Sequence, residues 1–173
     1  MEKIKFYEEA INKFYQDKAI PSYPICSMDV FAQHFGKMCK NLQDIRLLTN
    51  LAQTGKWQND SFFRNEILDN DHTIVVTDTN LNIVYASQNI YQMNGYMPKE
   101  IMGKKPKMFQ GEATCKETTK QISLAIQRNE PFEVTLLNYR KDGTPYNCWI
   151  KGAPVFSNKG NLVNFIAIEK EVA

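Results

Sequence analysis

Apolar positions over the first 70 residues recur at helical spacing. Ile4, Tyr7, Ile11 and Phe14 fall three, four and three residues apart and line one stripe of a helix that ends before Pro21 and Pro24. A second series, Phe31, Phe35, Met38, Leu42, Ile45 and Leu48, follows Ser27, a good N-cap, and Gly55 offers a stop after Leu51 and Ala52. The pattern predicts one long helix or two abutting ones. A short helix is predicted from about Ser61 to Leu68, with Phe62, Phe63, Ile67 and Leu68 on its buried side.

From His72 the period changes. The β-branched runs His72 to Asp78 and Asn82 to Ser87, joined by Thr79-Asn80-Leu81, read as a hairpin. Short helical turns follow from Gln88 to Gly103, punctuated by Asn94-Gly95 and Pro98, and Thr114 is read as the cap of an amphipathic helix through Ile122, Leu124, Ala125 and Ile126, ending near Asn129. Three more strands are predicted over Phe132 to Arg140, Pro145 to Phe156 and Leu162 to Glu171. Lys141-Asp142-Gly143-Thr144 and Ser157-Asn158-Lys159-Gly160 separate them as hairpin turns, because Asp, Asn and Gly tolerate positive φ. Five strands joined by hairpins, apart from one long helical excursion after the second, imply an α+β fold: an antiparallel sheet with helices gathered on one face. Such a cup can hold a small molecule or be filled by side chains.

Length and composition narrow the function. A chain of 173 residues, 43% hydrophobic and 23% charged, suits one domain with an appendage. The division expected is a helical extension over residues 1–70 and a domain over residues 71–173. A net charge of +2 is too small for a nucleic-acid footprint, so nucleic acid is not expected as a partner. No apolar run reaches membrane-spanning length and the first turns are charged, so no membrane association and a cytoplasmic location are expected. Cys26, Cys39, Cys115 and Cys148 form no C-x-x-C pair and, with only His34 and His72, no zinc set. The cysteines read as reduced structural thiols and the histidines as structural. No acid, base and nucleophile stand at a recognisable spacing, so the chain is not expected to be an enzyme.

Three segments carry a family resemblance: Val76-Thr77-Asp78 with Ile83-Val84-Tyr85-Ala86-Ser87 and Asn94-Gly95-Tyr96; Gly103-Lys-Lys-Pro-Lys-Met-Phe-Gln-Gly111; and Asn138-Tyr-Arg-Lys-Asp-Gly-Thr-Pro-Tyr146. Residues 72 to 171 resemble a PAS domain, and within that superfamily they look most like the flavin-binding blue-light LOV domains. The resemblance implies a PAS-type five-stranded antiparallel sheet preceded by the helical extension. It also implies departures from the photoreceptor pattern. The place of the LOV adduct cysteine is Pro106, which has no thiol; Cys115 and Cys148 lie elsewhere and read as small buried or half-buried hydrophobes.

The resemblance supplies a candidate pocket. The first flavin-contacting Asn of the family matches Asn138 and the glutamine of the second segment matches Gln110; Thr77 belongs to the first segment. The second Asn falls on Cys148, with Asn147 displaced by one position and so pointing to the opposite face. The last-strand Gln falls on Glu169, the phosphate-binding Arg after the adduct position becomes Lys107, and the second such Arg falls on Ser123. Lys104, Lys105 and Lys107 otherwise read as a solvated loop. Glu169 is placed inward, where it reads a ligand or polarises the pocket; the alternatives are pairing with a lysine or turning outward at the strand end.

With so many polar contacts altered together, no bound cofactor is expected, FMN or FAD being the alternative. The function implied is a sensory or signalling module that binds a small-molecule ligand or an unidentified signalling protein, with output through helix-mediated homodimerisation. A cysteine-less flavin photoreceptor or redox sensor is the second reading. The stripe on the first helix is expected to form the dimer. The alternative is that this helix and residues 28–52 fold back over the exposed sheet face of the same chain.

Overall fold

Thr73–Thr77 reads Thr-Ile-Val-Val-Thr, β-branched throughout and buried at every position, so both faces of this strand must be covered. The computed structural model describes residues 24–59, 66–67 and 72–173, with side chains from residue 35 onward. The stripe of Ile4, Tyr7, Ile11 and Phe14 lies outside the described residues. So do the side chains of Cys26, Phe31 and His34, and the predicted short helix apart from Glu66 and Ile67.

The strands are β1 (Thr73–Thr77), β2 (Ile83–Ala86), β3 (Phe132–Tyr139), β4 (Pro145–Phe156) and β5 (Leu162–Val172). They form one antiparallel sheet in the order β2-β1-β5-β4-β3. Because β2 and β3 are opposite edges, the chain between them must cross the sheet. It does so as a helical layer: α2 (Ile90–Asn94), α3 (Pro98–Ile101), a 3-10 turn (Pro106–Phe109) and α4 (Lys116–Arg128). Gly95, at φ +77°, ends α2, and Asn129, at φ +53°, ends α4, both in the left-handed conformation that stops a helix.

The alternation of β1 sorts its side chains between two cores. Val75 joins Ile83, Ala86, Ile90, Phe109, Leu136 and Ile150 under the crossing helices. Ile74 and Val76 point the other way, to Tyr85, Val155, Ile166 and Trp57. That second face is covered by the C-terminal half of the N-terminal helix, α1 (Pro24–Gly55), which buries Leu48 and Ala52 against it. Residues Met38–Ala173, which include this half of α1, form one compact unit, and Met1–Lys37 form another.

The helical excursion and the five strands follow the expected pattern, with three differences, the first being that α1 already starts at Pro24, so Ser27 lies inside the helix and is not its cap. The buried side of α1 in this unit runs through Asp44, Leu48 and Ala52, whereas Met38 and Leu42 of the predicted apolar series are exposed. The reason is a polar contact: Asp44 accepts a hydrogen bond from the Tyr85 hydroxyl (2.8 Å) and one from the Gln88 backbone N–H (2.9 Å), turning that side of the helix inward. At the start of α4 the N-cap is Cys115, not Thr114. The Thr114 hydroxyl instead donates to the Leu137 carbonyl (2.7 Å) and accepts from the Gly111 N–H (2.9 Å), tying the helical layer to β3. Cys115 is correspondingly exposed rather than buried, while Cys148 is fully buried. No helix among the described residues is long and apolar enough to cross a membrane.

Candidate functional site

Between the inner face of the sheet and the helical layer lies a cavity of about 260 Å³. Strand parity builds one wall: Leu136 and Asn138 from β3, Ile150 and Gly152 from β4, Phe165, Ala167 and Glu169 from β5, Val75 and Thr77 from β1. Phe109, Gln110, Thr119, Ile122, Ser123 and Ile126 form the other, and Lys105, Pro106 and Lys107 also line the cavity. The lining is chiefly apolar with a few polar groups, which is the composition of a small-molecule site.

Local geometry fixes how these walls stand. The Phe132 ring lies over Gly152, where a Cβ would come within 2.2 Å of it, so only glycine lets the ring close that end. Gly111 plays the same part beside Tyr139, whose ring a Cβ there would meet at 2.4 Å, and the Tyr139 hydroxyl accepts from the Ala113 N–H at 3.0 Å. That docking holds the segment carrying Gln110 against β3. On the loop before it, the Ile83 N–H donates to the Lys104 carbonyl and the Gly103 N–H to the Ile83 carbonyl, both at 2.8 Å, which anchors the three lysines to β2.

Five of the six residues singled out in the sequence line the cavity: Thr77, Lys107, Gln110, Asn138 and Glu169. Cys148 is fully buried just outside the lining, with its Sγ 3.9 Å from Glu169 Oε2. Asn147 is exposed on the other face, as the one-residue offset requires. Glu169 turns inward and is only 4% exposed. Burial pushes its carboxyl up to about 7, the Cys148 contact pulling weakly the other way. Burial likewise raises the Cys148 thiol and the Tyr146 hydroxyl, with the charge of Glu169 adding to both and the Asn138 amide opposing both. Thr77 Oγ1 and Asn138 Oδ1 are buried without a protein partner, each a group that costs roughly 1–3 kcal/mol while unmatched. Among the described residues no group of three or more His, Cys, Asp or Glu could hold a metal ion.

His72, expected to begin the first strand, lies just before β1 and is paired, its Nδ1 2.6 Å from Glu66 Oε2 and its ring beside Trp149. Sequence reasoning missed three features around the site: the Asp44 contact, Gly152 beneath Phe132, and Trp57. The Trp57 indole donates to Asn164 Oδ1 (3.0 Å), and Asn164 Nδ2 donates to the carbonyl of Thr77 (3.0 Å), a cavity residue. A lone tryptophan just past a helix-stopping glycine was the available signal for the last.

A family model described as PAS domain matches residues 70–173. Protein TWIN LOV 1 of Arabidopsis thaliana is 34% identical over 106 residues, 59% of this chain and 27% of that protein. The blue-light-activated histidine kinase of Brucella anthropi is 29% identical over 90 residues, 52% of this chain and 18% of that one. The chain thus spans about a quarter or less of the length of these curated relatives. Among solved structures, a light-oxygen-voltage domain studied through a flavin analogue superposes with a TM-score of 0.61 at 28% identity, covering 66% of this chain and 87% of its own.

Proposed function

The chain belongs to the PAS domain family, as a sensory module of LOV type, and we propose that its cavity holds a small molecule whose presence is passed through the N-terminal helices to a protein partner. The observation that carries this reading is the cavity itself: about 260 Å³, mostly apolar, with Thr77 and Asn138 oxygens buried and unmatched in its wall. A ligand that satisfied them would be bound more tightly than its apolar contacts alone provide. The output side rests on α1, whose residues Leu48 and Ala52 pack on the outer face of the same sheet. A change in sheet packing is therefore felt by the helix, and the segment over residues 1–70 is the part we assign to homodimerisation and to contact with an unidentified signalling protein.

Flavin is the second reading, favoured by Gln110, Asn138 and Lys107 in the lining, the lysine being a point charge that could meet a phosphate. The fit is incomplete. The apolar walls suit a ring body, but Ser123 and Glu169 replace a guanidinium and an amide, and Pro106 carries no nucleophile. No photochemical step is assigned to these residues.

Purification in dim light, a visible spectrum and mass analysis of any extracted molecule test the reading. An extracted molecule without a flavin spectrum supports the proposal, and a structured blue-region band replaces it with the flavin reading. Light scattering across micromolar concentrations tests the homodimer: a mass of one chain throughout removes it.

A further inference from the structure

Among the described residues, Glu169 is the only carboxyl that lines the cavity, and no lysine, arginine or histidine forms an ion pair with it. Its polar neighbours are uncharged on every side. β4 presents Cys148, whose Sγ is 3.9 Å from Oε2, and Tyr146; burial raises both, so both keep their protons at neutral pH. β3 presents Asn138, β1 sets Thr73 opposite Glu169 in register, and the helical layer contributes Phe109, Gln110 and Ile122 to the same lining. The lysines of the lining stand apart. Lys105 acts on Asp78, just past Thr77, and Thr77 is four residues along β1 from Thr73, roughly 13 Å at the rise of a strand. Burial and the Cys148 contact set the Glu169 carboxyl, with no share from Lys105 or Lys107. Arg140 is paired with Glu171 and covers the Tyr146 ring, while His72 and Lys170 pack on Trp149, which alternation puts on the opposite face of the sheet.

A carboxylate so placed has no cation to compensate it, and a ligand filling the cavity displaces the solvent that reaches it. The neutral acid costs less, and it offers an O–H donor beside a carbonyl acceptor. We propose that the cavity binds its ligand together with a proton: Glu169, as a neutral carboxylic acid, holds the edge of an uncharged ring in which a carbonyl stands next to an N–H. The acid O–H donates to the ligand carbonyl, and the ligand N–H donates to the other carboxyl oxygen. Where Glu169 is ionised beforehand, the proton comes from solvent on binding and returns to it on release. This rests on the reading that the cavity holds a small molecule, and it adds the polar edge of that molecule and the pH dependence of its binding. A cationic ring, the other partner a carboxylate accepts, is opposed by the two lysines in the same lining.

The probe is quinazolinone, an uncharged bicyclic lactam whose carbonyl adjoins its ring N–H. It is titrated into the full chain at pH 6 and pH 8 by calorimetry in two buffers of different ionisation enthalpy, which counts the protons exchanged, and it is located by the amide resonances of β3, β4 and β5. With the free carboxyl raised to about 7, binding is expected to weaken about tenfold from pH 6 to pH 8, with close to one proton taken up per ligand at pH 8. Glu169→Gln keeps a donor and an acceptor in the same shape and cannot ionise. It is expected to bind at pH 8 about as tightly as the unmodified protein binds at pH 6, with no proton exchanged, a result that a merely structural role for Glu169 does not produce. Binding by the unmodified protein that is level across this range, or that releases a proton, overturns the proposal and leaves the small-molecule reading standing. No binding at pH 6 also overturns the proposal, whereas the small-molecule reading is decided by the extraction. The proton count in the unmodified protein decides the question even if the variant does not fold.

Discussion

The Tyr85 hydroxyl donates a 2.8 Å hydrogen bond to Oδ1 of Asp44, joining β2 to α1 across 41 residues of sequence. Both groups are buried, and the Gln88 N–H occupies the other carboxylate oxygen at 2.9 Å. Burial raises the Asp44 carboxyl above its ordinary value, and the Gln88 and Tyr85 hydrogen bonds offset part of that. The contact fixes which side of the helix faces the sheet, a choice that Leu48 and Ala52 alone leave loosely determined.

Removing the hydroxyl should therefore loosen the helix before it loosens the sheet. Tyr85→Phe is expected to cost about 1–3 kcal/mol in urea unfolding, because it strips a partner from a buried carboxylate. Amide exchange in the second half of α1 should quicken more than exchange in β4 or β5. An unchanged midpoint together with unchanged α1 exchange would show that packing alone seats the helix.

Glu169 predicts an unusual dependence on pH. Its folded value is raised to about 7 from an ordinary 4.5, so between those values the folded chain holds a proton that the unfolded chain has released. Stability contributed by this group is fully present below about pH 4.5 and is lost as pH rises through 7, a change of roughly 3 kcal/mol at 1.36 kcal/mol per unit. Asp78, Asp142 and Glu100 have lowered values and act in the opposite direction at more acid pH, so the test is a difference between two proteins. Glu169→Gln should flatten the slope between pH 4.5 and 7, the raised Asp44 carboxyl keeping its own share in the same direction, and be the more stable form at pH 8. Parallel stability curves for the two proteins would refute the assignment.

Gly152 gives a steric prediction at the cavity wall. A Cβ there would lie 2.2 Å from the Phe132 ring, so Gly152→Ala must push the ring aside or into the cavity. The expected cost is about 1–3 kcal/mol from overpacking, with weaker binding of any cavity ligand. Phe132→Leu in the same chain should recover part of both losses. No recovery in thermal unfolding would mean that the ring is not what the methyl meets.

Much of this arrangement was readable from residues alone, for a physical reason: strand side chains alternate with a period of two, so parity assigns each position to a face. The family resemblance placed Asn138 and Glu169 at the pocket, parity put Asn147 on the opposite face, and turn chemistry at Asp142-Gly143 and Asn158-Lys159-Gly160 set the hairpins. Parity could not show that Cys148 stands behind the lining rather than in it. What depended on distant partners was not readable. Asp44 looks like an outward polar residue until Tyr85 is brought to it, and Thr114 looks like a helix cap until the Leu137 carbonyl takes its hydroxyl. The apolar series through Met38 and Leu42 was equally periodic, so periodicity could not decide which side of α1 meets the sheet.

Asn164 links the two faces of the sheet and carries the last prediction. Its Oδ1 accepts from the Trp57 indole and its Nδ2 donates to the Thr77 carbonyl, both at 3.0 Å, and all three residues are buried. Asn164→Ala removes both hydrogen bonds, so it should cost about 2–4 kcal/mol, more in hydrogen-bonding terms than Trp57→Phe, which removes one. A double-mutant cycle between Asn164→Ala and Trp57→Phe should give a coupling of about 0.5–2 kcal/mol. With Trp149→Phe as background, Trp57 becomes the sole tryptophan, and its emission reports on the far side of the sheet from the cavity. If Thr77 shifts when a ligand occupies the cavity, that emission should change, and Asn164→Ala should abolish the change while leaving ligand affinity within about threefold. A ligand response that survives in Asn164→Ala would show that the signal crosses the sheet by another route.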